Sequence, residues 1–350
     1  MHSEEDQKKL EQKAKQLLKW GIFAFLASIV IIVFLPLAVT KWNWISIGVQ
    51  APNEIGDTLG GIMGPAVALL GVALTFLAFW AQYVANQEQR QQFLTSLQKQ
   101  EKDRKDQQFE SQFFEMLRLH KENVDELAII PIGGQTPVTR RMVFQVMTSE
   151  FNQLLGLCAF GQPLKKEEFV TAYNIFFWGY DEGEVQKLSS PSEQFIRGDQ
   201  EGDKQDTINF KQHSGYSGQL GHYFRHLFMM VKFVVKSKVI IDYDEKMQYL
   251  KMLRAQLSNY EQIMLFYNWL SSGYGGAWEN DDNNFFSTYK MIHNLWTEEL
   301  YQDSLIVNAV NSLIDTYNKN PKKTPLFEFQ GTNFDLKMKD VENPLLPDIK

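Results

Sequence analysis

The sequence is poor in the residues and motifs that mark the commonest enzyme classes. A single cysteine, Cys158, rules out a disulfide within the chain, and no Cys/His spacing typical of a zinc site is present. The phosphate-binding pattern GxxxxGKS/T, a GxGxxG that opens a helix and the GxSxG of serine hydrolases are also absent. Cys158 stands in the apolar segment LLGLCAF, which favours a buried structural thiol. The bulk of the chain therefore suits a reducing cytosol.

Positive charge is scarce as well. The 350 residues carry a net charge of −7, and residues 107–350 hold 24 lysines and arginines against 32 aspartates and glutamates. A broad nucleic-acid-binding surface requires an excess of basic residues, so that function is not expected, although a local basic groove is compatible with the sequence.

Two long apolar runs lie near the N-terminus. Residues from Trp20 to Val39 and from Thr58 to Gln87 carry no charge, and each run reaches the roughly 20 residues that cross a bilayer. We predict membrane helices at 20–39 and 62–85. A cleaved signal peptide is the alternative for the first run, but its long preceding segment of mixed charge favours a retained helix.

The distribution of basic residues predicts the topology. Five lysines lie in residues 1–19 and five lysines and arginines in residues 90–105, whereas the connection at 40–61 contains only Lys41. Basic residues collect on the cytoplasmic side of a membrane, so we predict two crossings with both termini cytoplasmic and the connection outside. Asp57 would then lie near the outer interface, where it can stay hydrated.

Helical spacing of apolar residues dominates the rest of the chain. We predict a helical stalk at 86–112, because this segment is rich in Gln, Glu and Lys and lacks Gly and Pro. An α-helical cytosolic domain at 113–318 follows, and it includes one helix over 249–271 and another over 289–317. Loops are expected at 131–137 and 179–221, and an extended tail at 319–350. No strand pattern is convincing, so the predicted fold class is all-α.

The second apolar run has one side built of small residues. Small side chains let helix backbones approach closely in lipid, where apolar contact alone gives little gain. The positions proposed for helix packing or oligomerisation are Gly60, Gly61, Gly64, Pro65, Ala68 and Gly71. This small-residue face can receive the first helix of the same chain or a second copy of the protein, and the sequence leaves both uses open.

The predicted cytosolic domain contains a set of candidate polar residues. His222 and His226 are four residues apart on one helical face, where they could hold a metal or act as base and acid, or simply pack. A second polar line runs along the neighbouring helix, and with the first it forms a candidate network of His222, Arg225, Arg254, Ser258 and Glu261. The network could fix helix packing, switch its pairing when a signal binds, or perform hydrolysis. We predict no catalytic residue, cofactor or metal.

Several elements of the chain resemble the phage abortive-infection proteins of bacteria, the AbiC-like family. The first element is Gly56, Asp57, Gly60, Gly61 and Pro65 beside the predicted spans. Three others lie in the cytosolic part: Phe113, Phe114, Leu117 and His120; Tyr223, Phe224, Arg225 and Leu227; and Leu253 to Leu257 with Ser258, Tyr260 and Glu261. The resemblance implies defence against phage by death or arrest of the infected cell, and it supplies no catalytic residues.

We therefore expect a membrane-anchored anti-phage effector of the bacterial inner membrane, which senses infection through its cytosolic helices and perturbs the bilayer. The expected partners are the lipid bilayer, further copies of the chain, and a phage trigger or neighbouring defence protein. Two alternatives stay open at this point. One is a membrane-tethered hydrolase or nuclease toxin, and the other is a noncatalytic scaffold that recruits another defence protein.

Overall fold

The structure, a computed structural model, describes residues 16, 19–23, 25–30, 32–34, 52–197, 210–319 and 324–328. These residues are mostly helical, which confirms the predicted predominance of α-helix. The chain divides into two compact units, Met1–Arg104 and Lys105–Lys350.

The first unit contains two apolar helices that contact each other. Helix α1 is Lys19–Phe34, and helix α2 is Pro52–Asp125, of which residues 52–104 belong to this unit. A methyl group built on Gly21 would lie 2.9 Å from Cδ1 of Leu77. The missing side chain at Gly21 therefore lets the two helices approach closely.

Among the described helices, only α2 is long and apolar enough to cross a bilayer, in the part that begins at Met63. Helix α1 has a length of about 24 Å, which falls short of the roughly 30 Å of hydrocarbon in a membrane. The segment 35–39, which the sequence assigns to the first span, lies outside the described residues. Length and composition thus support one crossing, and the two-helix transmembrane hairpin stays a prediction.

Helix α2 runs without interruption from Pro52 to Asp125. Residues 86–112, predicted as a helical stalk, lie within this helix, and so does Pro65. The helix also includes residues 52–61 of the predicted external connection. The side chains between Asn86 and Lys105 are exposed to solvent, as expected for a segment rich in Gln, Glu and Lys.

The second unit packs its helices around an aromatic core. After α2 come α3 (Met142–Ala159), α4 (Lys166–Trp178), α5 (Glu182–Val185), α6 (Ser190–Arg197), α7 (Ser217–Val235), α8 (Tyr243–Arg254), α9 (Asn259–Leu270) and α10 (Ser304–Asn318). Short 3₁₀ turns cover Phe210–Gln212, Tyr274–Trp278 and Thr297–Glu299. Phe151 of α3 lies at the centre, with ring centroids of Phe169, Tyr173 and Phe176 on α4 and of Tyr267 on α9 within 4.9–5.8 Å.

A short strand pair interrupts the helical pattern. Strand β1 (Ala128–Ile129) pairs antiparallel with β2 (Val138–Thr139), so that the loop predicted at 131–137 closes a small hairpin. Two residues per strand are too few to leave an alternating pattern, so the sequence did not predict them. The loop predicted at 179–221 likewise contains the short helices α5 and α6 and the start of α7.

The single helix predicted over 249–271 is wrong, because the chain forms two helices there. Helix α8 ends at Arg254, and α9 begins at Asn259. Ser258 caps α9: its Oγ accepts a hydrogen bond from the backbone N–H of Glu261, and the Glu261 carboxylate accepts one from the backbone N–H of Ser258. This reciprocal capping box satisfies two N–H groups at the start of α9 and fixes the break.

The helix predicted over 289–317 is shorter than expected. Only Ser304–Asn318 is α-helical, and a series of turns precedes it. The later segment 324–328 packs back on these turns, with Leu326 and Phe327 buried. The ammonium group of Lys290 is enclosed there and donates to the backbone oxygen of Thr324 at 2.6 Å. Turns that surround a buried lysine replace the first half of the predicted helix.

Candidate functional site

Five polar side chains from four elements meet inside the second unit. They are His120 near the end of α2, Arg141 immediately before α3, Tyr223 and His226 on α7, and Glu261 in the first turn of α9. We call them the buried polar cluster. Three of the elements that carry the family resemblance contribute one member each, namely His120, Tyr223 and Glu261.

Glu261 is the hydrogen-bonding centre of the buried polar cluster. Its carboxylate is fully buried; Oε1 accepts a hydrogen bond from the Tyr223 hydroxyl at 3.0 Å, and Oε2 accepts one from the backbone N–H of Ser258 at 2.6 Å. Arg141 places Nε 3.9 Å from Oε2. Burial raises the pKa of Glu261, while the bonds from Ser258 and Tyr223 and the charge of Arg141 oppose that rise.

His120 is held in the cluster without hydrogen bonds to described residues. The ring is 1% exposed, and neither of its nitrogens has a partner in the part of the chain that the structure describes. It stacks on His226 with ring centroids 6.0 Å apart, and the Tyr223 ring lies 5.4 Å away. Burial lowers the pKa of His120 to about 4, and the nearby His226 and Arg141 add to that shift. His120 is therefore neutral at pH 7.

An unsatisfied buried polar group costs about 1–3 kcal/mol, so His120 lowers the stability of the fold that contains it. Such a residue needs a reason beyond packing, because a phenylalanine of similar shape would avoid the cost. A closed pocket that disfavours the charged forms of both His120 and Glu261 is one such reason.

Arg141 connects the buried polar cluster with the surface. Its side chain is 49% exposed, and Nη2 donates a hydrogen bond to the backbone oxygen of Gln256 at 2.6 Å. Gln256 lies in the break between α8 and α9. The guanidinium thus joins the start of α3 to this break and to Glu261, and it is the most exposed of the five members. His120 and Glu261 are enclosed in this arrangement.

The predicted network of His222, Arg225, Arg254, Ser258 and Glu261 is only partly assembled. His222 and Arg225 are exposed on α7, and no hydrogen bond or ion pair joins either to Glu261 among the described residues. Arg254 points elsewhere, with Nη1 donating to the backbone oxygen of Lys290 at 3.1 Å. Tyr223, the neighbour of His222, makes the link between α7 and α9 instead.

The idea of a metal shared by His222 and His226 gains no support from the geometry. His226 faces the cluster, and its Nε2 lies 3.0 Å from the backbone oxygen of Met116, whereas His222 is exposed. Within the described ranges, no group of three or more His, Cys, Asp or Glu residues is placed to hold a metal ion.

Sequence reasoning missed three members of the buried polar cluster as site residues, namely His120, Arg141 and Tyr223. Arg141 precedes a helix without any motif around it. His120 carried a usable signal, because Phe113, Leu117 and Val124 lie on the apolar face of α2 and His120 falls on the same face by spacing. A histidine on an apolar face is expected to be buried, but the sequence does not show what it contacts.

The small-residue face of α2 lies on a different side from the contact with α1. Four half-buried positions recur every seven residues on the side of Leu77, namely Met63, Leu70, Leu77 and Val84. Gly64 and Gly71 each follow one of these positions by one residue, which is about 100° around a helix. No described atom lies within 4 Å of a methyl group built on Gly60, Gly61, Gly64 or Gly71, and Pro65, Ala68 and Asp57 are also exposed.

We expect the substitution Ser258→Ala to reduce the free energy of unfolding by about 1 kcal/mol, because it removes the side-chain cap of α9. Chemical denaturation of the purified protein measures this loss. The comparison is Ser237→Ala, outside the buried polar cluster. It removes the hydrogen bonds that Ser237 Oγ accepts from the backbone N–H groups of Val239 and Ile240, and it should reduce the free energy of unfolding by less. A Ser258→Ala variant as stable as the wild type would contradict the capping role.

Comparison with known families agrees with the resemblance seen in the sequence. The family described as "putative phage abortive infection protein" matches residues 215–300. The matched range contains α7, α8 and α9, and with them Tyr223, His226 and Glu261 of the buried polar cluster. Comparisons with curated proteins and with solved structures gave no match. The chain thus resembles phage abortive-infection proteins over the segment that supplies three members of the cluster.

Proposed function

We propose that the protein is a membrane-anchored anti-phage effector, which senses infection through its second unit and arrests or kills the bacterial host by perturbing the inner membrane. The family match supports a role in abortive infection. The long apolar part of α2 supports anchoring in a bilayer. The distribution of lysine and arginine supports two crossings with both termini cytoplasmic.

The uncovered small-residue face carries the membrane part of the proposal. Helix α1 contacts α2 at Leu77, while the glycines at 60, 61, 64 and 71 have no described atom near them. In lipid, close backbone approach is a main source of helix association, so such a face suits a second copy of the chain. A homo-oligomer joined through α2 can rearrange into a leak without any enzymatic step.

The buried polar cluster carries the sensing part of the proposal. Helix α2 holds the small-residue face near its start and His120 near its end. A trigger that opens the cluster gives water access to His120 and Glu261, both of which gain hydration energy when charged. The opened state then releases the last turns of α2 from α7, and α2 transmits the change to the membrane.

The test is induced expression followed by phage infection in bacteria that contain a membrane-potential dye. We expect the wild type to depolarise the cells, and the double variant Gly64→Leu/Gly71→Leu to leave the potential at the level of uninduced cells. Leu69→Phe is the matched control, since it adds bulk to an exposed position of α2 away from the small-residue face. Depolarisation should also survive His222→Ala, because His222 is exposed and outside the cluster.

Three outcomes would count against the membrane mechanism. Unchanged depolarisation in the Gly64→Leu/Gly71→Leu variant would remove the small-residue face from the mechanism. Growth arrest by a shortened chain that begins at Gln107 would require chemistry or binding in the second unit alone, which is the hydrolase alternative. Harm that appears only together with a neighbouring gene product would favour the scaffold.

A further inference from the structure

A groove between α2 and α7 concentrates positive charge in a unit that is otherwise acidic. It has a volume of about 510 Å³ and lies wholly within the second unit. Four lysines line it, namely Lys105, Lys232, Lys236 and Lys238, and no carboxylate does. We call it the basic groove. Residues 107–350 carry eight more acidic than basic side chains, so this collection of lysines is a local exception.

Three of the groove lysines, at 232, 236 and 238, have no paired carboxylate among the described residues. Among the described residues, Lys232, Lys236 and Lys238 form no ion pair; Nζ of Lys236 donates to a backbone oxygen, that of Asp282, at 3.0 Å. The acidic side chains closest along α2, Asp106 and Glu110, influence Tyr249 and are not part of the groove lining. These three lysines therefore leave a net positive potential that an anionic ligand can use.

The floor of the basic groove is apolar. Met229 is 51% exposed, and Phe233 stacks on Phe109 with ring centroids 4.8 Å apart. The α2 side of the groove extends over Lys105–Met116, about three helical turns or 16 Å. Two helices that present an apolar floor between charged rims form the kind of groove that takes an amphipathic helix.

We propose that the basic groove binds an acidic amphipathic peptide segment of the protein that signals infection. Apolar side chains of the segment pack on Met229 and Phe233, and its carboxylates meet the lysines of the rim. A nucleic-acid strand fits less well, since the described lining contains no arginine and its phenylalanines are packed on each other rather than open for base stacking. This inference rests on the sensing role proposed above and names the chemistry of the trigger.

The basic groove is adjacent to the buried polar cluster. Met116 belongs to the groove lining, and its backbone oxygen contacts Nε2 of His226. His226 in turn stacks on His120. A segment that wedges α2 away from α7 therefore acts on the contact between Met116 and His226 and on the cluster behind it.

Binding is tested on the purified full-length protein in detergent micelles, by fluorescence anisotropy of labelled synthetic peptides. The probe is a helical peptide with leucines at i, i+3, i+4 and i+7 and glutamates elsewhere. We expect it to bind, and we expect the variant Lys232→Glu/Lys236→Glu/Lys238→Glu to bind about tenfold or more weakly. The matched control is Lys121→Glu/Lys251→Glu/Lys319→Glu, three exposed lysines outside the groove, which should bind like the wild type.

Three further probes test the specificity of binding. A peptide with lysines in place of the glutamates should not bind, and a scrambled acidic peptide should bind about tenfold more weakly because it cannot present one apolar face. Equal affinity of both triple variants, no binding of the amphipathic probe, or tighter binding of a single-stranded oligonucleotide at the groove would overturn the proposal. The measurement does not depend on membrane potential, so its failure is distinguishable from failure of the proposed membrane mechanism.

Discussion

Between pH 7 and pH 5 the wild type should lose about 2 kcal/mol of its free energy of unfolding through His120, and we expect the substitution His120→Phe to abolish this loss. His120 is enclosed beside His226 and Arg141, and burial holds its pKa at about 4. In the unfolded chain the same group takes up a proton near its ordinary pKa of about 6.5. Phenylalanine has a similar shape and does not titrate, so the variant should lack this part of the pH dependence.

The sign follows from the direction of the pKa shift. Because the pKa of His120 is lower in the folded state, the unfolded state binds the extra proton as the pH falls from about 6.5 to 4. Stability is therefore lost on the acid side of this window and is fully present above it. Urea denaturation at pH 7, 6 and 5 measures the difference between variant and wild type, and that difference should grow steadily in favour of the variant.

The matched control is His222→Phe, which changes an exposed histidine on α7 and should leave the pH dependence nearly unchanged. A His120→Phe variant that follows the wild-type profile would show that His120 is not buried in the unfavourable environment described here. If the buried polar cluster is the switch, the same variant should be stable yet respond less to phage infection, since opening no longer gains hydration energy at position 120.

The continuity of α2 was predictable because its signals are local. The segment from Gln82 to Gln112 lacks Gly and Pro and is rich in strong helix formers, and nothing in the second unit needs to override that preference. The long apolar run of α2 that begins at Met63 is an equally local signal. The side of α2 that α1 occupies was not predictable, since it depends on Gly21, a residue that the small-residue pattern did not include.

The break between α8 and α9 was missed although the sequence contains its signal. Leu253, Leu257 and Met264 keep helical spacing across the break, which favoured one long helix. Ser258 followed three residues later by Glu261 is a capping box, and it should have taken precedence over the periodicity. The polar line through Arg254 and Ser258 was a consequence of that error, because the two residues belong to different helices.

The buried polar cluster could be predicted in part. The family elements contained His120, Tyr223 and Glu261, but they are separated by up to 141 positions in the chain, and only the packing of α2, α7 and α9 brings them together. Arg141 completes the cluster from the start of α3 without any pattern of its own. Long-range contacts of single polar residues leave no periodic trace, which is why the sequence named the neighbours His222 and Arg225 instead.

The second large effect should come from Glu261→Ala, which we expect to reduce the free energy of unfolding by about 4 kcal/mol. The substitution leaves the Tyr223 hydroxyl and the Ser258 backbone N–H without their acceptor and deprives Arg141 of its buried counter-charge. It also opens a cavity at a fully buried position. Urea denaturation at pH 7 measures the loss.

Glu261→Gln is the matched variant, since it keeps the shape and an acceptor oxygen, and it should cost about 1–2 kcal/mol. Burial raises the pKa of Glu261, so the stability that this group contributes is present below its unfolded pKa and is lost as the pH rises through the folded value. The gap between wild type and Glu261→Gln should therefore narrow as the pH rises above about 4.5. Equal losses for both variants at every pH would contradict this account.

Glu261 and His120 make the free energy of unfolding depend on pH in opposite directions. Together they show that the closed cluster disfavours charged side chains. Acid favours the unfolded chain through His120, and base favours it through Glu261, because the closed interior disfavours the charged form of each. An event that admits water stabilises both charged forms at once. The double variant His120→Phe/Glu261→Gln should accordingly hold the cluster closed, and cells that express it should keep their membrane potential during infection.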